Sequence, residues 1–209
     1  MKLEELMPDI YQLISHDYQI IRTVDFETAL SCIQKTAKTK DKPMLVQVSG
    51  MPAAGKSTYC RQFLKENPEY AYVSFDKLME GLTGYQKDVK ELGSVQAFSN
   101  WEMTARIIGY ELLNRLIDTK SNILLEHSGT NSAHIQLMKN VKKRGYQTQV
   151  CFVMCNEEKA LKRAISREEE TGRHTPPQII LERAGLIKKY MEQYKNIVDE
   201  FKVFEPDKK

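Results

Sequence analysis

The chain has 209 residues, of which 41% are hydrophobic and 28% charged, enough for one domain with a full core and too few to promise two. With 10 Gly and 7 Pro, these values argue against the disordered, collagen-like and low-complexity classes. The net charge of +3 is too slight to indicate nucleic acid or an anionic membrane as the partner, although it suits an anionic small substrate.

Three features of the sequence bear on its compartment. The longest apolar run, Val150–Cys155, is far shorter than the roughly 20 residues of a membrane helix. The N-terminus carries Glu4, Glu5 and Asp9 where a signal peptide is basic and then apolar. The cysteines form no CxxC pair and lack the Cys/His spacing of a zinc site. We therefore expect a cytoplasmic protein with reduced thiols.

The first 40 residues predict a helical N-terminal extension. Apolar side chains recur at helical spacing from Leu3 to Ile14 and again from Phe26 to Ile33. A polar break follows at Lys35–Lys42, and Pro43 introduces the first apolar run that is rich in strand-forming residues.

The rest of the chain alternates strands with helices. The predicted strands are Met44–Ser49, Tyr70–Phe75, Asn122–Glu126, Gln147–Cys155 and a short Val203–Phe204. The predicted helices are Lys56–Glu66, Gln96–Asp118, Ala133–Arg144, Glu157–Glu170 and Pro176–Lys202. A glycine-containing polar loop precedes the second helix, and Thr175 is the predicted N-cap of the last, with Gln178 completing a capping box. This pattern predicts one α/β domain over residues 1–209, with helices on both faces of a mostly parallel sheet that binds ligands at the carboxyl ends of its strands.

A phosphate-binding loop follows the first predicted strand. The segment Gly50-Met51-Pro52-Ala53-Ala54-Gly55-Lys56-Ser57 fits G-x-x-x-x-G-K-[ST], with Thr58 after it and a helix opening at its end. Glycines let backbone N–H groups turn inward around a polyphosphate, and the helix N-terminus adds about half a positive charge. Lys56 supplies a charge for the β and γ phosphates of ATP, and the Ser57 hydroxyl is placed to ligate the Mg²⁺ that bridges them.

The surroundings of this loop narrow the class of enzyme. The sequence contains no Asn-Lys-x-Asp guanine reader and no Asp-x-x-Gly switch on the third strand, which argues against a GTPase. That strand ends in Glu126, followed by the small polar run His127–Thr130, which suits substrate binding better. A compact phosphoryl-transfer enzyme remains.

Asp76 ends the second predicted strand, at the edge of the sheet where phosphates would bind. Its carboxylate can accept the proton of an attacking hydroxyl, an effect of about 10² to 10⁴ in rate. It can equally cap the helix that begins at Lys77. The sequence leaves both roles open.

Arg163, Arg167 and Arg173 surround the break at Thr171-Gly172, in a region of about residues 163–176 that can form a closing lid. Guanidinium groups suit the charge that spreads over a transferring phosphoryl group. A solvated helix face paired with Glu168–Glu170 is the competing interpretation. Lys142-Lys143-Arg144, by contrast, ends a helix, where cations favour the dipole.

Several of these segments together carry a family resemblance: the loop Gly50–Ser57, Asp76, Leu124–Glu126, Ile165–Glu169 and Arg173–Pro176. From Met44 to Phe204 the chain resembles the zeta toxin family of P-loop kinases, which are related to polynucleotide kinases. The resemblance implies that Lys56 and Ser57 hold ATP and Mg²⁺, that Asp76 is the general base, and that Arg167 and Arg173 contact ATP phosphates from a lid.

The resemblance also extends to the acceptor. Glu126 and Ser128 match the Glu-x-Thr substrate contacts of the family, with serine in place of threonine, whereas the arginine usual two residues further on is Thr130 here. The best-known members phosphorylate the 3′-hydroxyl of the amino sugar in UDP-N-acetylglucosamine, and a small antitoxin protein holds them. The resemblance therefore implies a nucleotide-sugar substrate and an antitoxin-like partner.

Three function hypotheses follow. The first is an ATP- and Mg²⁺-dependent kinase that acts on a hydroxyl of a small substrate, which Asp76, Glu126 and Ser128 would bind. The second is a polynucleotide 5′-hydroxyl kinase, which would need a basic, aromatic-lined channel that neither the net charge nor the spacing of Tyr85, Trp101 and Tyr110 indicates. The third is a non-catalytic protein that binds ATP only to set its conformation.

Overall fold

A computed structural model describes residues 2–14, 41–171 and 173–206 of the chain. Its strands are β1 Met44–Ser49, β2 Ala71–Ser74, β3 Ile123–Glu126, β4 Gln147–Val153 and β5 Glu200–Phe204. They form one sheet in the order β2-β3-β1-β4-β5, in which all neighbours are parallel. The predicted α/β class with a parallel sheet is confirmed.

Nine helices surround this sheet in the described parts of the chain. They are α1 Leu3–Leu6, α2 Pro8–Ile14, α3 Lys56–Glu66, α4 Phe75–Gly81, α5 Thr83–Leu92, α6 Ser94–Asp118, α7 Ser132–Lys143, α8 Glu157–Thr171 and α9 Pro177–Lys195. Side chains alternate along β4: Cys151 contacts Tyr59 of α3, whereas the Phe152 ring lies 5.7 Å from the Tyr194 ring of α9. Helices α3 and α9 therefore cover opposite faces of the sheet.

The central strands are buried because helices cover both of their faces. Every residue of β3 is buried, as are five of the six residues of β1 and six of the seven of β4. Continuous apolar runs such as Val150–Val153 are typical of strands in such parallel sheets. The edge strand β5 is mostly exposed.

The register of the sheet brings its functional loops to one edge. Glu126, the last residue of β3, pairs with Val48 of β1 on one side and with Ser74 of β2 on the other. The loop after β1, the first turn of α4 after β2 and the loop after β3 therefore meet at the carboxyl edge of the sheet.

The polar loop predicted between the second strand and the long helix is wrong, since most of this segment is helical. Helices α4 and α5 occupy it, and α6 begins at Ser94, two residues before the predicted start. Met79, Leu82 and Tyr85 are buried at helical spacing, so packing stabilises helices here despite the glycines. Gly93 adopts a φ of 84° between α5 and α6.

The predicted extension of the last helix to Lys202 is also wrong. Helix α9 ends at Lys195, and the longer strand β5 follows. Asp199 accepts hydrogen bonds from the backbone N–H and the hydroxyl of Thr148, and the Lys142 ammonium donates to the Ile197 carbonyl. These contacts fix the chain beside β4, so sheet pairing overrides helix propensity.

The predicted capping box at the start of this helix does not form. Pro176 is the N-cap and makes no side-chain capping bond, and Pro177 is the first helical residue. The Thr175 hydroxyl instead accepts a hydrogen bond from Nη2 of Arg167 at 2.5 Å. The predicted second and fourth strands extend further than β2 and β4 do, because α4 already begins at Phe75 and β4 ends at Val153.

The first predicted N-terminal helix is two short helices, because Pro8 starts a new one after α1. Leu6, Met7 and Ile14 are fully buried, and the Asn140 side chain of α7 donates to the Leu6 carbonyl at 2.9 Å. The second predicted helix, Phe26–Ile33, lies outside the described residues. None of the helices that the structure describes is both long and apolar enough to cross a membrane.

Candidate active site

The loop between β1 and α3 requires glycine at its first position. Gly50 has a φ of 142°, and a Cβ there would lie 2.4 Å from the Val153 carbonyl oxygen. Gly55 has a φ of 103° and is the N-cap of α3. The loop is thus held against β4 at its start and opens a helix at its end, as a phosphate cradle requires.

Lys56 folds back over its own loop. Its ammonium donates to the carbonyl oxygens of Gly50 at 3.1 Å and Met51 at 2.9 Å. Burial lowers the pKa of Lys56, while the carboxylates of Glu126 and Asp76 oppose that shift. The ammonium therefore lies within the loop, beside two acids from neighbouring strand ends.

The remaining positions of the phosphate-binding motif differ in exposure. A cavity beside the loop is lined by Pro52, Ala53, Ala54, Gly55, Lys56, Ser57 and Thr58, whereas Gly50 and Met51 do not line it. Met51 is buried beneath the loop, and the exposed Thr58 accepts a hydrogen bond from Arg61. The arc from Pro52 to Thr58 is therefore the part that faces a ligand.

Ser57, Glu126 and Tyr72 form a hydrogen-bonded unit, of which sequence analysis missed Tyr72. The Ser57 hydroxyl donates to Glu126 Oε1 at 2.8 Å, and the Tyr72 hydroxyl donates to Oε2 of the same carboxylate. Burial and the adjacent carboxylate raise the pKa of Tyr72, so it stays a donor. The sequence signal for Tyr72 was a tyrosine inside the apolar strand β2. The register of the sheet places this strand beside β3 and Glu126.

Asp76 lies in the first turn of α4, and the N-cap of that helix is Ser74. Its carboxylate pairs with the guanidinium of Arg173, which also lies 3.5 Å from Glu80. Arg173 and Asp76 both line the cavity. The side chain of Asp76 thus faces the site rather than the end of its helix.

The predicted arginine segment also reaches this cavity. Arg167 lines it and donates to Thr175, and burial together with Arg173 lowers the pKa of Arg167. Arg163 lines it from an exposed position and donates to the Cys155 sulfur at 3.4 Å. Arg167 and Arg173, the two arginines predicted to contact ATP, therefore both line the same cavity as the phosphate loop.

The loop after β3 packs tightly against the phosphate loop. The Gly50 N–H donates to the Ser128 carbonyl at 3.1 Å. Gly129 has a φ of 71°, and a Cβ there would lie 2.3 Å from the Ser49 hydroxyl. This close approach leaves the Ser128 side chain at the cavity surface, where it accepts a hydrogen bond from Thr130.

Thr130 itself is 2% exposed, and an arginine from a distant helix reaches it. Nη1 of Arg183, in α9, lies 3.3 Å from the Thr130 carbonyl oxygen and 3.4 Å from its hydroxyl. Arg183 also lines the cavity. Sequence analysis missed it, because its position 53 residues away in the chain gives no local signal.

The cavity has a volume of 1490 Å³. Ligand pockets are usually about 300 to 1,000 Å³, so this space can hold two substrates side by side. The wall away from the phosphate loop carries aromatic and charged side chains, those of Tyr85, Phe98, Glu102, Arg106, Tyr110 and His127. Helices α5 and α6 supply most of them. Of these, sequence analysis placed only His127 in a run suited to substrate binding.

Comparison with known proteins identifies relatives of this chain. The Zeta toxin family model matches residues 27–209. A structure from the PezAT chromosomal toxin–antitoxin system of Streptococcus pneumoniae superposes with a TM-score of 0.76 at 16% identity, over 90% of this chain and 81% of that chain. The AvrRxo1-ORF1:-ORF2 structure with ATP superposes with a TM-score of 0.63 at 15% identity, over 86% of this chain and only 60% of that chain. These structural likenesses show a shared P-loop kinase fold.

Proposed function

Since the chain belongs to the zeta toxin family, we propose that it is an ATP- and Mg²⁺-dependent kinase that transfers the γ-phosphoryl group to a hydroxyl of a small molecule. One observation carries the proposal: a phosphate-binding loop and two strand-end carboxylates line the same cavity. The structure with ATP of a protein that shares the fold supports ATP as the donor.

The phosphate loop supplies the binding groups for the nucleotide. Backbone N–H groups of the arc from Pro52 to Ser57 would bind the phosphates, and the Lys56 ammonium would exchange its carbonyl partners for phosphate oxygens. Arg167 and Arg173, whose charges act on Lys56, would contact the phosphates as part of a lid of about residues 163–176. The guanidinium contacts should strengthen as charge spreads over the γ-phosphoryl group.

The residues present also fit Mg²⁺. The Ser57 hydroxyl is an oxygen ligand of the kind that Mg²⁺ takes, and it lies next to the negative charge of Glu126. The ion would neutralise charge on the β and γ phosphates. The protein's own part is to hold the Ser57 oxygen in place through the Glu126 carboxylate.

Asp76 is the candidate general base. It lines the cavity next to the arginine segment, and it would accept the proton of the attacking hydroxyl. Its ion pair with Arg173 has to loosen for this role, and phosphates that bind Arg173 would provide that release.

Glu126 and Ser128 would bind the acceptor. A carboxylate can accept hydrogen bonds from two vicinal sugar hydroxyls, and it repels a phosphate placed directly against it. The reacting end of the acceptor is therefore an uncharged sugar, with any phosphates further away near Arg106 and Arg183. UDP-N-acetylglucosamine is the first compound to test.

An antitoxin-like protein partner belongs to the same proposal. One matched structure comes from a toxin–antitoxin system, and the other contains AvrRxo1-ORF1 together with -ORF2. We place the activity in the cytoplasm, where ATP is available and a reducing environment suits the buried thiols of Cys60 and Cys151. A binding partner that suppressed ATP consumption by the purified protein would support this part of the proposal.

The deciding experiment follows the γ-phosphoryl label of ATP in the presence of Mg²⁺. We expect label on UDP-N-acetylglucosamine and little on water. The aromatic and arginine lining from Tyr85, Phe98 and Arg106 favours a polynucleotide 5′-hydroxyl kinase as the second candidate. Label on a 5′-hydroxyl oligonucleotide and on no nucleotide sugar would establish that second function, and ATP binding without transfer to any acceptor would indicate a non-catalytic protein.

A further inference from the structure

His127 occupies a position between the two proposed acceptor-binding residues. It directly follows β3, with Glu126 before it and Ser128 after it in the chain. Its backbone N–H donates to the Val48 carbonyl at 3.1 Å, which fixes the residue against β1. Its ring lines the cavity.

The hydrogen bonds of this ring define where its proton lies. The backbone N–H of Gly129 donates to His127 Nδ1 at 3.1 Å, so Nδ1 carries no hydrogen and the neutral ring is protonated at Nε2. Within the described parts of the chain, no group hydrogen-bonds Nε2, and Nε2 is not sealed from solvent. The structure therefore presents one unused N–H donor at the cavity wall.

A second histidine holds the ring in place. The His127 and His134 rings are stacked, with centroids 3.5 Å apart and planes within 2° of parallel. His134 is fixed in turn, since Nε2 accepts from the Tyr110 hydroxyl and Nδ1 donates to Gln47 Oε1. Gln47 then donates to Ser49 and to the Tyr194 hydroxyl. The orientation of His127 is thus set by a buried polar network.

The surroundings also keep His127 neutral. Burial lowers the pKa of His127, and the nearby cationic or basic groups His134, Arg106, Lys56 and Arg183 act in the same direction. Two stacked imidazoles at this distance cannot both carry a charge. A neutral imidazole donates one hydrogen bond without attracting a phosphate.

We propose that His127 is a specificity-determining residue whose Nε2–H donates a hydrogen bond to an uncharged oxygen of the acceptor, a hydroxyl or an amide carbonyl next to the reacting group. This proposal rests on the proposed kinase function. The donor from His127 complements the carboxylate of Glu126, which accepts. The pair therefore suits an acceptor that offers a hydroxyl and a neutral oxygen side by side.

The test compares two substitutions with a matched control. His127→Phe keeps an aromatic ring for the stack and removes the donor, whereas His127→Gln keeps an N–H at similar reach. We expect His127→Phe to raise the KM for UDP-N-acetylglucosamine about 5- to 30-fold and to change the KM for ATP much less. We expect His127→Gln to recover most of that loss.

Tyr194→Phe is the control, because it removes a hydroxyl from the far end of the same buried network and does not line the cavity. It should lower the melting temperature and leave the acceptor KM unchanged. An equal rise of the acceptor KM in Tyr194→Phe, or none in a folded His127→Phe, would overturn the proposal. If the unsubstituted protein phosphorylates a 5′-hydroxyl oligonucleotide instead, that oligonucleotide is the probe.

A spectroscopic measurement separates this proposal from the kinase function. Nitrogen-15 spectra of labelled histidines at pH 7, assigned with His127→Gln, should show a neutral ring protonated at Nε2. If no probe is phosphorylated, the kinase function fails while this spectrum still decides the state of His127. A ring protonated at Nδ1, or a charged ring, would refute the proposed donor.

Discussion

The two sides of the cavity are built in different ways. The phosphate side comes from one contiguous segment, residues 50–58, whose backbone conformation and first helical turn form the binding surface. The acceptor side is assembled from several separate elements of the chain, namely α5, α6, the loop after β3 and the distant helix α9. A substitution on the phosphate side should therefore affect every reaction of the protein, whereas one on the acceptor side should affect the choice and affinity of the acceptor.

The sharpest test of the phosphate side is Lys56→Ala. We expect phosphoryl transfer to fall by about 10³ or more, because the charge that meets the phosphates is lost. The fold should persist, since the ammonium hydrogen-bonds to carbonyls of its own loop. Label transfer and the melting temperature measure the two effects, with the exposed Lys65→Ala of the same helix as the control. A folded Lys56→Ala protein with near-normal rates would contradict the assigned role of the loop.

Asp76 lies where the two sides meet. For Asp76→Asn we expect turnover to fall by about 10² while ATP affinity changes little, because the amide keeps the shape and loses the basicity. Glu80→Gln is the matched substitution, since Glu80 also contacts Arg173 from α4, and it should change turnover only a few-fold. Unaltered turnover of Asp76→Asn with a lowered melting temperature would return Asp76 to a structural role.

Arg173 links the lid segment to Asp76. For Arg173→Ala we expect kcat to fall about 10- to 100-fold with a smaller change in ATP affinity, because its contact should strengthen as the phosphoryl group leaves. Arg167→Ala should act in the same direction, and Arg163→Ala, at an exposed position, should act less. Loss of stability alone in Arg173→Ala would assign that arginine to the ion pair with Asp76 and Glu80 only.

The same contrast explains what could be predicted from the sequence. The phosphate loop was identified because its glycines, Lys56 and Ser57 lie within one short segment of the chain. The central strands were identified as apolar runs, because both of their faces are buried. The strand-end acids Asp76 and Glu126 followed from the rule that parallel strands present their carboxyl ends at one edge. The structure places these residues around one cavity, while their catalytic roles stay predictions.

The residues that sequence analysis missed act across long separations. Arg183 reaches Thr130 from another helix, and Tyr72 reaches Glu126 from a neighbouring strand. Helices α4 and α5 were read as loop because glycines interrupt them, although Met79 and Tyr85 are packed against the core. In each case the position of the residue or the formation of the helix depends on tertiary contacts, which a local sequence pattern does not reveal.

Acid should lower the free energy of unfolding through the buried His134, whose ring stacks on that of His127. Burial lowers the pKa of His134 to about 3. Below the unfolded value of about 6.5 the unfolded chain binds a proton that the folded protein refuses, so His134 lowers the free energy of unfolding by about 2 kcal/mol between pH 7 and pH 5. Denaturant unfolding at the two pH values measures the loss. His134→Gln should reduce the pH dependence, and an unchanged dependence would show that His134 is protonated in the folded protein.

The smallest expected effect is that of Tyr72, which either positions Glu126 on the phosphate side or only packs in the core. Tyr72→Phe removes the hydroxyl that donates to Glu126 Oε2 and leaves the ring in place. We expect kcat/KM for ATP to fall about 5- to 10-fold, because Glu126 then holds the Ser57 hydroxyl less firmly and one net hydrogen bond is lost. Tyr70→Phe is the control, since the Tyr70 hydroxyl hydrogen-bonds to a weakly accepting sulfur, that of Met44, at 3.4 Å.

The stabilisation of the protein by ATP with Mg²⁺, read as a shift of the melting temperature, distinguishes the two interpretations of Tyr72. If Tyr72 positions Glu126 and Ser57, this shift should shrink in Tyr72→Phe, stay normal in Tyr70→Phe, and respond less to added Mg²⁺ than in the unsubstituted protein. If Tyr72 only packs, the melting temperature without ligand falls while the ligand-induced shift stays the same. The second result would show that Glu126 does not support the binding of ATP and Mg²⁺, and only its proposed role in binding the acceptor would remain.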